Sequence, residues 1–181
     1  MAIDFTYLMQ PAKHYTFEMP DVRLWTEKWC KGKTLNLFAG RTMLRGIDEV
    51  RVDIDVNMRA DYHEDALEFV RRWRGKFDTI VFDPPYNLRK AKEKYGGRYI
   101  GAVRKIKHEL PRILNLGGRI ISFGYDTIGM GRRRGFEKIA ILLICHSGDR
   151  EDSMAVVERF VQPGLEWEEE GEPLLQTTNC T

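Results

Sequence analysis

Apolar and polar positions fall along the chain in short, well-separated blocks. Residues 34–38 (TLNLF) predict a strand ending at Ala39-Gly40, and residues 49–54 (EVRVDI) a second, with little room for a helix between them. In residues 64–73 (EDALEFVRRW), Ala66, Leu67, Phe69, Val70 and Trp73 recur near helical spacing. Acids stand early in that segment and arginines late, as the helix dipole favours. Residues 77–82 are apolar apart from Asp78 and Thr79, the signature of a parallel strand covered on both faces.

Residues 100–116 predict a helix with Val103, Ile106, Leu110 and Ile113 or Leu114 on one face, kinked at Pro111 and ended by Gly117-Gly118. Residues 119–123 (RIISF) predict a fourth strand. Residues 138–145 and 154–161 predict two more, joined as a hairpin through residues 146–153. Strands alternating with helices and closed by a hairpin indicate an α/β domain with an open, mainly parallel sheet.

The chain has 181 residues, 43% of them hydrophobic and 31% charged, which suits one soluble domain. The whole of residues 1–181 is expected to be that domain, with an N-terminal segment (1–33) and an acidic tail (163–181). Cys30, Cys145 and Cys180 are odd in number and form no C-x-x-C pair, so neither a disulfide scaffold nor a zinc site is expected. No long apolar run and no leader pattern occur, so a cytoplasmic location is expected. His63, His108 and His146 are read as structural or surface residues.

The net charge of +2 excludes little, but its distribution is informative. Between residues 86 and 112, Arg89, Lys90, Lys92, Lys94, Arg98, Arg104, Lys105, Lys107 and Arg112 stand against only Glu93 and Glu109. Tyr95 and Tyr99 are interleaved with them, the pattern that serves phosphates and base stacking. Arg132, Arg133 and Arg134 form a second cluster, expected beside the same pocket.

Ligands of such sheets bind across the carboxyl ends of the strands. Gly40 follows the first strand, where a glycine allows close backbone approach. Asp53 and Asp55 follow the second, either of them suited to ribose hydroxyls. Asp65, at the start of the next helix, is either a cap or a ligand contact. Asp83-Pro84-Pro85-Tyr86 follows the third. Two prolines hold the chain extended just past a buried strand, so the polar groups there are kept in fixed positions.

These residues carry a resemblance. FDPPYN (82–87) resembles motif IV of the S-adenosylmethionine-dependent amino-methyltransferases, which modify exocyclic amines of nucleobases. LNLFAG (35–40) resembles their motif I. The acid after the second strand and Asp65-Ala66 are similar to motifs II and III. Asn36 stands where motif I usually has aspartate, and Arg41-Thr42 where a second glycine is common. The segment 41–48 is also too short for the usual first helix.

The resemblance implies a Rossmann-like class I fold with a seven-stranded sheet, a C-terminal antiparallel hairpin and shortened helices. It implies cofactor contacts from Asn36, Phe38, Ala39, Gly40, Asp53, Asp65, Ala66 and Asp83. A contribution from the segment around His14, Tyr15, Thr16 and Phe17 is also implied. Asp83, Pro84, Pro85 and Tyr86 take the catalytic positions. Tyr86, Asn87, Arg89, Lys90, Lys92, Lys94, Tyr95, Arg98 and Arg132 to Arg134 take the nucleic-acid positions. Aspartate rather than serine at the head of the turn points to adenine N6 in DNA. An RNA methyltransferase, for instance on guanine N2, and a non-catalytic binding subunit are the alternatives. Target recognition is expected from residues 87–100, the N-terminal segment, a second copy of the chain or a partner subunit.

Overall fold

The structure is a computed structural model that describes residues 2–85, 102–148 and 151–162. In chain order its elements are β1 (Asp4–Met9), α1 (Pro20–Trp29), β2 (Thr34–Leu37), β3 (Glu49–Val52) and α2 (Ala66–Arg72). They continue with β4 (Phe77–Phe82), α3 (Ala102–Glu109), β5 (Leu114–Gly124), β6 (Phe136–Cys145) and β7 (Ser153–Phe160). Short 3-10 turns occur at Thr16–Glu18, Leu110–Ile113 and Arg132–Arg134. The strands form one sheet in the order β1-β6-β7-β5-β4-β2-β3. β7 is antiparallel to β5 and β6, and every other neighbouring pair is parallel.

Apolar layers cover both faces, which is why the central strands read as continuous apolar runs. On one face, Phe69 and Val70 of α2 and Ile106 of α3 pack on Leu35, Leu37, Ile80 and Phe82. Phe69, Trp73 and Phe77 stack in series with centroids 5.1 and 5.2 Å apart. Phe69 and Phe77, both fully buried, each contribute about 1.5–3 kcal/mol through area burial. On the other face, Val22 and Trp25 of α1, with Phe17 and Met19, cover Val81, Ile121, Phe123 and Leu142.

Six strands match the sequence pattern, and β1 is an addition. It pairs with β6 at the sheet edge, with Asp4 opposite Ala140 and Met9 opposite Cys145. Its large side chains Phe5, Tyr7 and Met9 lie on one face and are exposed. His146 secures its end: Nδ1 donates to the Gln10 carbonyl at 2.9 Å, and Nε2 lies 2.8 Å from the Ser153 hydroxyl. At the outer edge of β3 an isolated parallel bridge joins Val52 to Tyr62.

The helix expected over residues 100–116 is shorter. α3 ends at Glu109, and the Leu110–Ile113 turn follows because Pro111 has no N–H to extend the ladder. β5 then starts at Leu114, opposite Phe77, and shifts register before Arg119 meets Thr79. Residues 115–118 bulge at that shift, with Gly117 at φ 80°. No helix occupies residues 38–48, as the shortness of that segment required.

One buried charge organises the connection from β5 to β6. Glu158 of β7 is 2% exposed, and its carboxylate accepts from the backbone N–H groups of Met130 and Gly131. Lys107 donates to the Gly129 carbonyl and Lys138 to the Thr127 carbonyl around it. Gly129 has φ +57°, and a Cβ there would fall 2.1 Å from a Glu158 oxygen. Burial pushes the Glu158 carboxyl above its ordinary range, against the pull of the two N–H donors and the lysines.

Candidate active site

Strand register aligns the carboxyl ends of four strands. Leu37 of β2 pairs with Val52 of β3 and with Phe82 of β4, and Phe82 pairs with Ser122 of β5. The next residues, Phe38, Asp53, Asp83 and Phe123, therefore stand in one row along the sheet edge. The glycine loop, the acid and the proline turn of the sequence meet there.

The loop after β2 turns through two left-handed residues, Phe38 at φ 62° and Gly40 at φ 60°. For Phe38 this conformation costs about 1–2 kcal/mol. Its ring is buried against Phe82, centroids 5.9 Å apart, and that contact helps to hold it. Ala39 donates its N–H to the Val52 carbonyl at 3.1 Å, and Gly40 donates to Asp53 Oδ2 at 2.9 Å. Tyr15 covers the loop: a Cβ on Gly40 would lie 3.0 Å from its ring. The Arg41 guanidinium sits 5.7 Å from the same ring.

β3 supplies the rest of the support. Glu49 and Arg51 form an ion pair at 2.9 Å, with both side chains almost fully buried. Arg51 Nη2 donates to the carbonyls of Ala39 (3.1 Å) and Gly40 (2.9 Å), and Nη1 donates to that of Thr42 (3.1 Å). Glu49 accepts from the Asn36 side-chain amide at 3.0 Å and from the Leu44 N–H at 3.1 Å. Sequence reasoning missed Glu49 and Arg51. Their signal was the strict alternation Glu49, Arg51, Asp53, Asp55 with Val50, Val52 and Ile54, read only as a strand.

Phe38, Ala39 and Gly40 form the loop after β2, which ends at Leu37 rather than Phe38, whereas Asn36 lies beneath it within β2, fully buried, with its amide directed to Glu49. Asp53 is buried, with Oδ2 on Gly40 and Oδ1 accepting the Asp55 N–H at 3.0 Å. Asp55 is half-buried and accepts from Asn57. Asp65 caps α2, Oδ1 accepting from Leu67 and Glu68, and Ala66 is buried as the first helical residue. Asp83 and Pro85 are half-buried and Pro84 is buried. Phe17 packs edge-on against Phe123 in the core. Tyr86, Asn87, Arg89, Lys90, Lys92, Lys94, Tyr95 and Arg98 lie outside the described residues.

The second arginine cluster requires correction. Arg132, Arg133 and Arg134 directly precede Gly135 and the start of β6, and Gly135 accepts from Val161 at the end of β7. β6 runs parallel to β4 and β5, so its start lies at the amino edge of the sheet. Phe136 pairs with Phe160, roughly five residues below the row of Asp83, on the order of 16 Å along the strands. The connection leaves β5 at the carboxyl edge and descends, held by Glu158, so its arginines end up far from the proline turn.

Chemically, this edge offers a strained glycine loop with small side chains, backed by acids and next to a rigid carboxylate turn. Such a loop admits a ligand close to the backbone. No protein-family model matches the sequence, and no curated protein matches it. Solved structures do resemble the fold. TrmN from Thermus thermophilus superposes with a TM-score of 0.54 at 14% identity, over 79% of this chain and 49% of that one. The N-methyltransferase NodS from Bradyrhizobium japonicum gives 0.53 at 11% identity, over 78% and 92%. SMU.776 in complex with SAH gives 0.50 at 15% identity, over 77% and 48%. The chain thus spans about half the length of TrmN and of SMU.776. At such identities the likeness establishes architecture, and the chain has the Rossmann-like class I methyltransferase fold.

Proposed function

We propose that the protein transfers a methyl group from S-adenosylmethionine to the exocyclic N6 of adenine, with DNA as the preferred nucleic acid. The observation that carries this reading is the alignment of the Asp83-Pro84-Pro85 turn with the Phe38–Gly40 loop at one sheet edge. The NodS and SMU.776 likenesses support the reaction class and the cofactor.

The loop fits such a cofactor. Ala39 and Gly40 present almost no side chain, and the left-handed Phe38 and Gly40 curve the backbone tightly. In this reading Asp55, half-buried beyond β3, takes the ribose, because both oxygens of Asp53 already hold backbone N–H groups. Asp65 and Ala66 border the same side of the loop in this reading. The bound cofactor supplies an electrophilic methyl on a sulfonium.

The protein's part is alignment. An exocyclic base amine is a poor nucleophile because its lone pair is delocalised into the ring. It carries two N–H donors. The acceptor-only Asp83 carboxylate takes one and the Pro84 carbonyl takes the other. With both hydrogens held, the nitrogen becomes more tetrahedral and its lone pair points along the transfer direction. Pro84 and Pro85 fix the spacing of the two acceptors, which is preorganisation. Tyr86 offers a stacking face for the base, a contact worth about 1–3 kcal/mol. A base in duplex must flip out to enter.

Arg89, Lys90, Lys92, Lys94 and Arg98 serve the phosphates in this reading, with Asn87 and Tyr95 beside them. Target recognition falls to that segment, or to a second copy of the chain or a partner subunit. A cytoplasmic location belongs to the same reading. The test is incubation with methyl-labelled S-adenosylmethionine and separate DNA and RNA pools, then nucleoside identification by mass spectrometry. N6-methyladenine in DNA is expected. Label confined to RNA would move the activity to an RNA base, and no label in either pool would refute transfer to nucleic acid.

A further inference from the structure

A parallel connection between adjacent strands normally carries a helix, in which each carbonyl accepts the N–H four residues on. Between β2 and β3 no helix exists, so the carbonyls of Ala39, Gly40 and Thr42 need other donors. All three receive them from Arg51. Its Nε donates to the Arg59 carbonyl at 2.6 Å, and the second Nη1 hydrogen goes to Glu49 at 2.9 Å. A guanidinium has five N–H donors, and here five contacts engage them.

The 39–40 peptide group is held at both ends from one strand. Arg51 takes the Ala39 carbonyl and Asp53, two residues on along the same face, takes the Gly40 N–H. That grip fixes the peptide's orientation at the point where Gly40 turns beneath Tyr15. We propose that Arg51 is a positioning residue that substitutes for the missing helix and shapes the loop for the cofactor. The inference rests on the methyltransferase reading for the ligand, though not for the geometry.

Arg51→Lys is the informative variant. Lysine keeps the charge opposite Glu49, but its three donors on one nitrogen cannot span carbonyls of three residues. Two measurements are made on the full chain. Hydrogen exchange of residues 36–44 without ligand should speed up at least about tenfold in Arg51→Lys. S-adenosylhomocysteine affinity by calorimetry should fall at least about tenfold, with KM for nucleic acid unchanged. Glu158→Gln removes a buried charge at the far sheet edge and controls for general destabilisation. It should leave affinity for S-adenosylhomocysteine unchanged. An Arg51→Lys protein with wild-type exchange and wild-type affinity overturns the proposal, as does an equal loss of affinity in Glu158→Gln. A wild-type protein that fails to bind S-adenosylhomocysteine overturns the cofactor reading instead, while faster loop exchange in Arg51→Lys would still report the grip itself.

Discussion

The carboxylate of Asp53 accepts the backbone N–H of Gly40 at 2.9 Å and that of Asp55 at 3.0 Å. One buried acid thus joins the glycine loop to the end of the neighbouring strand. Asp53→Asn keeps one acceptor and sets an NH2 donor against the other N–H. The expected cost is about 1–3 kcal/mol, read as a lower urea midpoint with unchanged m-value. Affinity for S-adenosylhomocysteine should fall with it. Unaltered stability would mean that the bond to Gly40 does not hold the loop.

Glu158 offers a test of the β5–β6 connection that is separate from the site. Glutamine there keeps one acceptor and turns an NH2 donor towards the N–H of either Met130 or Gly131, at a cost of about 1–3 kcal/mol. The pH dependence has a definite sign. Burial raises the carboxyl in the folded state, so the native protein binds its proton more tightly than the unfolded chain. The Glu158 contribution to stability therefore declines as pH rises from the ordinary carboxylate range through the raised value. Denaturant titrations at several pH values should show this decline in the wild type and its loss in Glu158→Gln.

Cys30 is mostly buried at the end of α1, and burial pushes its thiol up to about 12. Iodoacetamide at pH 8 should modify it at least roughly a hundredfold more slowly in native protein than in urea, since the thiolate is the reactive form. Peptide mass spectrometry reads the difference. The same shift means that stability is lost as pH rises above about 9, where the unfolded thiol ionises first. Rapid native labelling would contradict the burial.

Nucleic-acid binding should depend steeply on salt, and the two basic clusters should differ. Lys90, Lys92 and Lys94 follow the proline turn directly, so replacing them with alanine should lower the salt slope by about one for each phosphate no longer neutralised. Arg132 and Arg133 lie at the opposite sheet edge, and the double alanine variant should leave the slope unchanged. The reverse pattern would place the phosphate track elsewhere.

The contrast between legible and hidden features has physical causes. Residues 34–38 and 77–82 were plain because a strand covered on both faces must be apolar throughout. The Asp83 turn was legible because two prolines after such a strand serve neither sheet nor helix. β1 was not, since Phe5, Tyr7 and Met9 face outwards and leave no inward apolar stripe. Arg51 was hidden by the usual rule that charges on an alternating strand face water. Here a helix-free loop lies over that face and needs the charges. The arginines at 132–134 were misjudged because sequence order says which strand precedes a segment, not at which edge the segment ends.

Asp83 is where the proposed chemistry is tested most directly. Methyl-transfer rate and S-adenosylhomocysteine affinity should be measured side by side for wild type and Asp83→Ala. Loss of one of the two amine acceptors should lower kcat at least about a hundredfold. Cofactor affinity should fall much less than kcat, because the other loop residues still hold the cofactor. Turnover retained by Asp83→Ala would contradict the claim that the carboxylate at the end of β4 holds the reacting amine.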